Sequence, residues 1–97
     1  MRFQDKVVVV TGAAGGIGTA IATRFASEDA RVVVTDVNAE GVEATAAAIR
    51  ASGGRARGVA GDISKADGCK AVVADVLAHE GRIDVLCNNA GINRRGA

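Results

Sequence analysis

Glycines at 12, 16 and 18 and aspartates at 36 and 62 are the residues of this 97-residue chain whose types and spacing could hold a charged ligand. Val7-Val8-Val9-Val10 comes before the glycines, and an apolar stripe at helical spacing follows them. A strand that turns into a helix through glycines aims several backbone N–H groups at one spot, the positive end of the helix macrodipole. Such a turn is a phosphate site made of main chain. Gly12 would let the chain leave the strand sharply, Gly16 would leave room for a pyrophosphate, and Gly18 would let the helix pack against the sheet. Asp36 closes the run Arg31-Val32-Val33-Val34-Thr35, 18 residues after Gly18. A carboxylate at the carboxyl end of a neighbouring strand can accept from both hydroxyls of a ribose and would repel a 2′-phosphate. Capping the next helix is the other use for such an Asp, and Asn38 is better placed for that.

These residues need an alternating scaffold, and the pattern supplies one. Ile17, Ile21 and Phe25 mark one face of a first helix. A second helix is expected from about Asn38 to Ser52, with Val42, Ala46 and Ile49 inward and Gly53-Gly54 as its stop. A third strand is expected at 56–60. Ser64 would cap a third helix in a capping box with Asp67, with Cys69, Val72, Val73, Val76 and Leu77 as its buried stripe. The fourth strand is expected at 83–87, leading into Asn88-Asn89-Ala90-Gly91. Short loops and strict alternation predict a parallel α/β sheet, doubly wound and Rossmann-like, with strand order 3-2-1-4. Strands 1 and 4 then meet where the winding reverses, and Gly12 and Asn88 become neighbours at the mouth of the crevice.

Thr11-Gly12-x-x-x-Gly16-x-Gly18 together with Asn88-Asn89-Ala90-Gly91 resembles the short-chain dehydrogenase/reductase family, and Asp36 and Asp62-Ile63 fit the same pattern. The resemblance runs from the first strand to the loop after the fourth. It implies that Gly12, Gly16, Ile17 and Gly18 hold a pyrophosphate, that Asp36 holds the adenosine ribose, and that Asp62, with Ile63, meets the adenine. It further implies that Asn89, Ala90 and Gly91 touch the cofactor. Asn88 is open between a direct contact and a purely structural role. Members that prefer NADP carry a cation just before the second motif glycine or just after the position of Asp36. Here those positions are Gly15 and Val37, so NAD is the expected cofactor.

The family's proton chemistry uses a Tyr-x-x-x-Lys pair with an upstream serine, and this chain contains no tyrosine. His79 is the single histidine and belongs at the end of the third helix. Ser27, Ser52 and Ser64 have no base nearby. No catalytic residue and no metal ligand is therefore assigned. The 97 residues read as the cofactor half of an NAD-dependent oxidoreductase acting on an alcohol or ketone, inactive alone, with the catalytic half outside them. A free-standing dinucleotide- or ADP-binding module and a non-enzymatic interaction protein remain as alternatives.

Composition bounds the rest. Net charge is +1, from 12 basic and 11 acidic residues well mixed, which excludes a nucleic-acid or membrane surface. Arg94-Arg95 is too short a basic run to change that. No apolar run approaches a membrane span and the first residues form no signal peptide. Cys69 and Cys87 read as buried thiols in a reducing compartment, and the protein as cytoplasmic. Strand 4 would be an edge strand with an apolar side, so a homo-oligomer is expected.

Overall fold

The structure, a computed structural model, describes residues 3–89. Four strands form one parallel sheet: β1 (Val7–Thr11), β2 (Arg31–Asp36), β3 (Arg55–Ala60) and β4 (Val85–Asn88). Three helices connect them: α1 (Gly16–Ser27), α2 (Ala39–Ala51) and α3 (Ala66–Glu80). The sheet order is β3-β2-β1-β4, as the alternation of elements requires.

The valine runs show no polar alternation because both faces of the sheet are covered. Val8, Val10, Val32 and Val34 face α1 and α2, in a cluster with Ala22, Val42, Ala46 and Ile49. Val7, Val9 and Val33 face the other way, against Val72 and Val76 of α3. The reversal of winding between β3 and β4 thus puts α3 opposite α1 and α2. With so few apolar anchors, α3 is also tied by charge. Arg57 on β3 binds Glu80 through two parallel bonds, 2.9 Å from Nε and 2.8 Å from Nη2, and reaches Asp75 at 2.7 Å.

The expectations for α1 and α3 need correction. In α1 the buried face is Gly18, Ala22 and Ala26, one position round from Ile17, Ile21 and Phe25. Small residues let the helix axis come close to the sheet, and the larger ones pack along its flank. Phe25 meets Phe3 edge-on at 4.9 Å, and Ile17 is 61% exposed. In α3 the N-cap is Lys65, with no side-chain cap, and the capping box of Ser64 and Asp67 does not form. The Ser64 hydroxyl donates instead to Asp62 Oδ1 at 2.5 Å. Of the expected α3 stripe only Val72 and Val76 are buried, and Cys69 and Cys87 are half-buried. On the same side of the sheet Leu77 and Leu86 are exposed, because α3 alone covers that side.

Strand β4 enters two residues later than its apolar run predicts, because Asp84 secures the approach with its side chain. Asp84 Oδ2 accepts from the Val7 N–H at 2.8 Å and from Arg82 Nε at 2.8 Å. The Asp84 N–H donates to the Val7 carbonyl at 2.9 Å. The Arg82 hydrogen bond, then the Val7 amide, hold the Asp84 carboxyl below the usual range. A folded-state pKa that is depressed adds stability above the ordinary carboxylate pKa, about 3.9, and that stability disappears as pH falls through the lower folded value. Thermal melts across the acid range should therefore show wild type losing more stability than Asp84→Asn. Parallel pH profiles for the two would contradict this role.

Candidate functional site

The glycine turn is built as a receiver of negative charge. Gly12 has φ of +65°, a left-handed conformation that turns the chain off β1. Gly15 is the N-cap of α1 and brings no side-chain cap, and the first turn carries no acidic residue. Helix α2 differs, since Asn38 Oδ1 caps it by accepting from the Gly41 N–H at 3.0 Å. The first-turn N–H groups of α1 thus have no side-chain cap. A Cβ built on Gly16 meets nothing within 4 Å, so the space above it is open. A Cβ on Gly18 would land on the Gly12 carbonyl oxygen and 2.8 Å from Ala13 Cα. The two motif glycines therefore do different work: Gly16 leaves space for a ligand, and Gly18 permits close packing of the helix on the turn.

Asp36 sits at the end of β2 beside this turn. Its Oδ2 accepts from the Ala14 N–H at 3.1 Å and its Oδ1 from the Asn38 N–H at 3.2 Å. A carboxylate has about four lone-pair sites, so capacity remains for two hydroxyls. Asp62 follows β3. Its Oδ1 accepts both the hydroxyl and the backbone N–H of Ser64, which together hold its pKa below the ordinary carboxylate value. These groups converge on a crevice of about 260 Å³, lined by Gly12, Gly15, Asp36, Val37, Gly61, Asp62, Ile63 and Ser64. Among the described residues that line it, none is basic. Two carboxyl groups and the start of a helix with no side-chain cap beside them suit a ligand with hydroxyl or amino donors joined to a phosphate.

Strand β4 braces the turn from its other side. Thr11 pairs with Asn88 across the ladder, and the Thr11 hydroxyl bonds Asn88 Oδ1 at 3.1 Å. Asn88 is thereby tied to β1. Asn89 is 3% exposed, and its Nδ2 donates to the Gly12 carbonyl at 3.3 Å. Its side chain thus supports the turn from beneath and does not line the crevice. Ala90 and Gly91 lie outside the described residues. His79 is an exposed helix-end residue whose Nδ1 is 2.9 Å from the Asp75 carbonyl oxygen, remote from the crevice. Among the described residues no cluster of His, Cys, Asp or Glu could hold a metal.

Sequence reasoning placed Gly12, Asp36, Asp62 and Ile63 on the crevice, and Gly16, Ile17 and Gly18 at the start of α1. Gly15 and Val37, the positions considered for a cation, also line it, whereas Ser64 and Gly61 were not foreseen as lining residues. The signal for Ser64 was present, since an Asp two residues before a Ser is a turn-forming pair.

A fold of this order with this turn defines a nucleotide-binding α/β unit, and the comparison with known proteins is specific. The chain belongs to the short-chain dehydrogenase family, whose model matches residues 6–97. It is 50% identical to the short-chain reductase protein NovJ of Streptomyces niveus over 94% of this chain, and 47% identical to D-threitol dehydrogenase of Mycolicibacterium smegmatis over 96%. Among solved structures, a hydroxysteroid dehydrogenase from Escherichia coli superposes with a TM-score of 0.86 at 34% identity, covering 89% of this chain and 37% of that one. A metagenomic short-chain oxidoreductase in complex with NADP gives 0.83 at 44% identity, over 89% of this chain and 39% of that one. The chain covers 35% of NovJ and 36% of the threitol dehydrogenase. It therefore corresponds to the cofactor-binding portion of such enzymes.

Proposed function

We propose that these residues are the NAD(H)-binding half of an oxidoreductase that moves a hydride between nicotinamide and the hydroxyl or ketone of a small molecule. The observation that carries the cofactor choice is the Asp36 carboxylate at the glycine turn, with Gly15 and Val37 where a cation would stand for a 2′-phosphate. The nicotinamide supplies the hydride acceptor or donor, and this chain's own residues bind and orient it. In this reading the N–H groups at the start of α1, at Gly16, Ile17 and Gly18, hold the pyrophosphate. Gly12 shapes the turn, with Asn89 bracing it. Asp36 holds the adenosine ribose. Asp62 and Ile63 form the adenine end, and the family resemblance assigns Ala90 and Gly91 to the cofactor as well. The group that gives a proton to the ketone oxygen, or takes one from the hydroxyl, comes from residues outside these 97.

Among the described residues no helix is long and apolar enough to cross a membrane. We take the protein to be cytoplasmic and homo-oligomeric. The exposed Leu86, which lines an apolar recess of about 200 Å³, and the exposed Leu77 on α3 support a covering element there, from a second copy or from the rest of the polypeptide.

The charge argument has a direct test in Asp36→Ala combined with Val37→Arg. Removing the carboxylate ends repulsion of a 2′-phosphate, and a guanidinium at position 37 can pair with it. The ratio of NADP to NAD affinity should rise by at least about tenfold, or 1.4 kcal/mol. The absolute affinity for NAD should fall, because the ribose and the Ala14 N–H both lose their acceptor. An unchanged ratio in calorimetric titrations would contradict the role given to Asp36.

A further inference from the structure

The peptide joining Ala13 to Ala14 is held at both ends. The Ala13 carbonyl oxygen accepts from the Thr19 hydroxyl at 2.9 Å and from the Thr45 hydroxyl at 3.1 Å. On the other side of the same peptide, the Ala14 N–H donates to Asp36 Oδ2. A trans peptide is planar, with its C=O and N–H pointing in opposite directions. Fixing the oxygen inward therefore fixes the N–H outward, toward Asp36.

The two threonines come from different helices, α1 and α2, and neither does what a helical threonine usually does. Thr23, one turn along α1, returns its hydroxyl to the carbonyl four residues back, Thr19 O, at 2.8 Å. Thr19 and Thr45 instead reach out of their helices to one carbonyl. Their oxygens lie 3.4 Å apart. Each hydroxyl has one hydrogen, so with both directed at Ala13 neither is left to join the pair. Thr45 is 7% exposed and Ala13 fully buried, so the shared carbonyl is closed to bulk solvent.

We infer that Thr19 and Thr45 are positioning residues for the cofactor crevice: their hydroxyls lock the 13–14 peptide, and through it the glycine turn and the Asp36 carboxylate. The assignment rests on the dinucleotide-binding reading for its functional consequence. Without the two donors the carbonyl would be left buried and unpaired, a state that favours rotation of the peptide. Rotation would turn the Ala14 N–H off Asp36 and carry the turn with it.

The test uses the purified chain and the double variant Thr19→Val with Thr45→Val, which keeps shape and removes both hydroxyls. Thr19→Ser with Thr45→Ser keeps the hydroxyls and serves as the rescue. Amide hydrogen exchange at Ala14 and calorimetric affinity for ADP are read together. The valine pair should speed Ala14 exchange at least about tenfold and weaken ADP by about tenfold or more, and the serine pair should restore both. Should the double variant not fold, Thr19→Val alone, at a half-exposed position, carries the same readouts with smaller shifts. Unchanged Ala14 exchange in a folded valine variant would overturn the lock. Faster exchange with ADP affinity unaltered would overturn its role in positioning. If wild type binds no ADP, the cofactor reading fails, and the exchange measurement alone decides whether the lock exists.

Discussion

Gly16→Val is expected to abolish dinucleotide binding and leave the fold intact. The space that its Cβ would enter holds no protein atom within 4 Å, so the change meets no neighbour in the chain itself. The isopropyl group would fill the space in front of the open N–H groups of α1. Hydrogen bonds to a charged group contribute about 1.5–3 kcal/mol each. Losing two of them weakens binding by on the order of 100-fold or more. In helix propensity valine is no worse than the glycine it replaces, so the melting temperature should move little. Circular dichroism and NAD titration on the same sample separate the two effects. Binding equal to wild type would remove the phosphate role from this turn.

Gly18→Ala should do the opposite, damaging the fold through a single methyl group. The added Cβ would strike the Gly12 carbonyl and approach Ala13 Cα at 2.8 Å. Both obstacles are backbone, and the Gly12 carbonyl is also the acceptor for Asn89. Neither can move aside as a flexible side chain would. Overpacking of this kind costs about 1–3 kcal/mol, which for a domain of this size lowers the melting temperature by roughly 4–8 °C per kcal/mol. Thermal melts of the two glycine variants side by side check the division of labour. A Gly18→Ala protein as stable as wild type would contradict the packing role.

The architecture could be read from the chain because its signals are local and redundant. Valine runs buried on both sides, glycines at the turns and one helical pattern between each pair of strands leave few topologies. The position of Asp36 beside the glycine turn follows from that topology alone. The details that failed depend on distance between elements, which sequence does not encode. Hydrophobicity pointed to Ile17, Ile21 and Phe25 as the inner face of α1. Close approach of helix to sheet selects Gly18, Ala22 and Ala26 instead. Ser64 carries the same hydroxyl whether it caps a helix or holds Asp62, and only the geometry of the turn decides. The contacts of Thr45 with Ala13 and of Asn89 with Gly12 span 32 and 77 residues, and no local pattern announces them.

The most direct measurement is calorimetric titration of the wild-type chain with NAD and, separately, with NADP. In the proposed reading Asp36 meets a ribose, and among the described residues no basic side chain lines the crevice to meet a 2′-phosphate. NAD should bind more tightly by at least about tenfold, a difference of 1.4 kcal/mol. Tighter binding of NADP, or no binding of either, would contradict the assignment of this crevice to NAD.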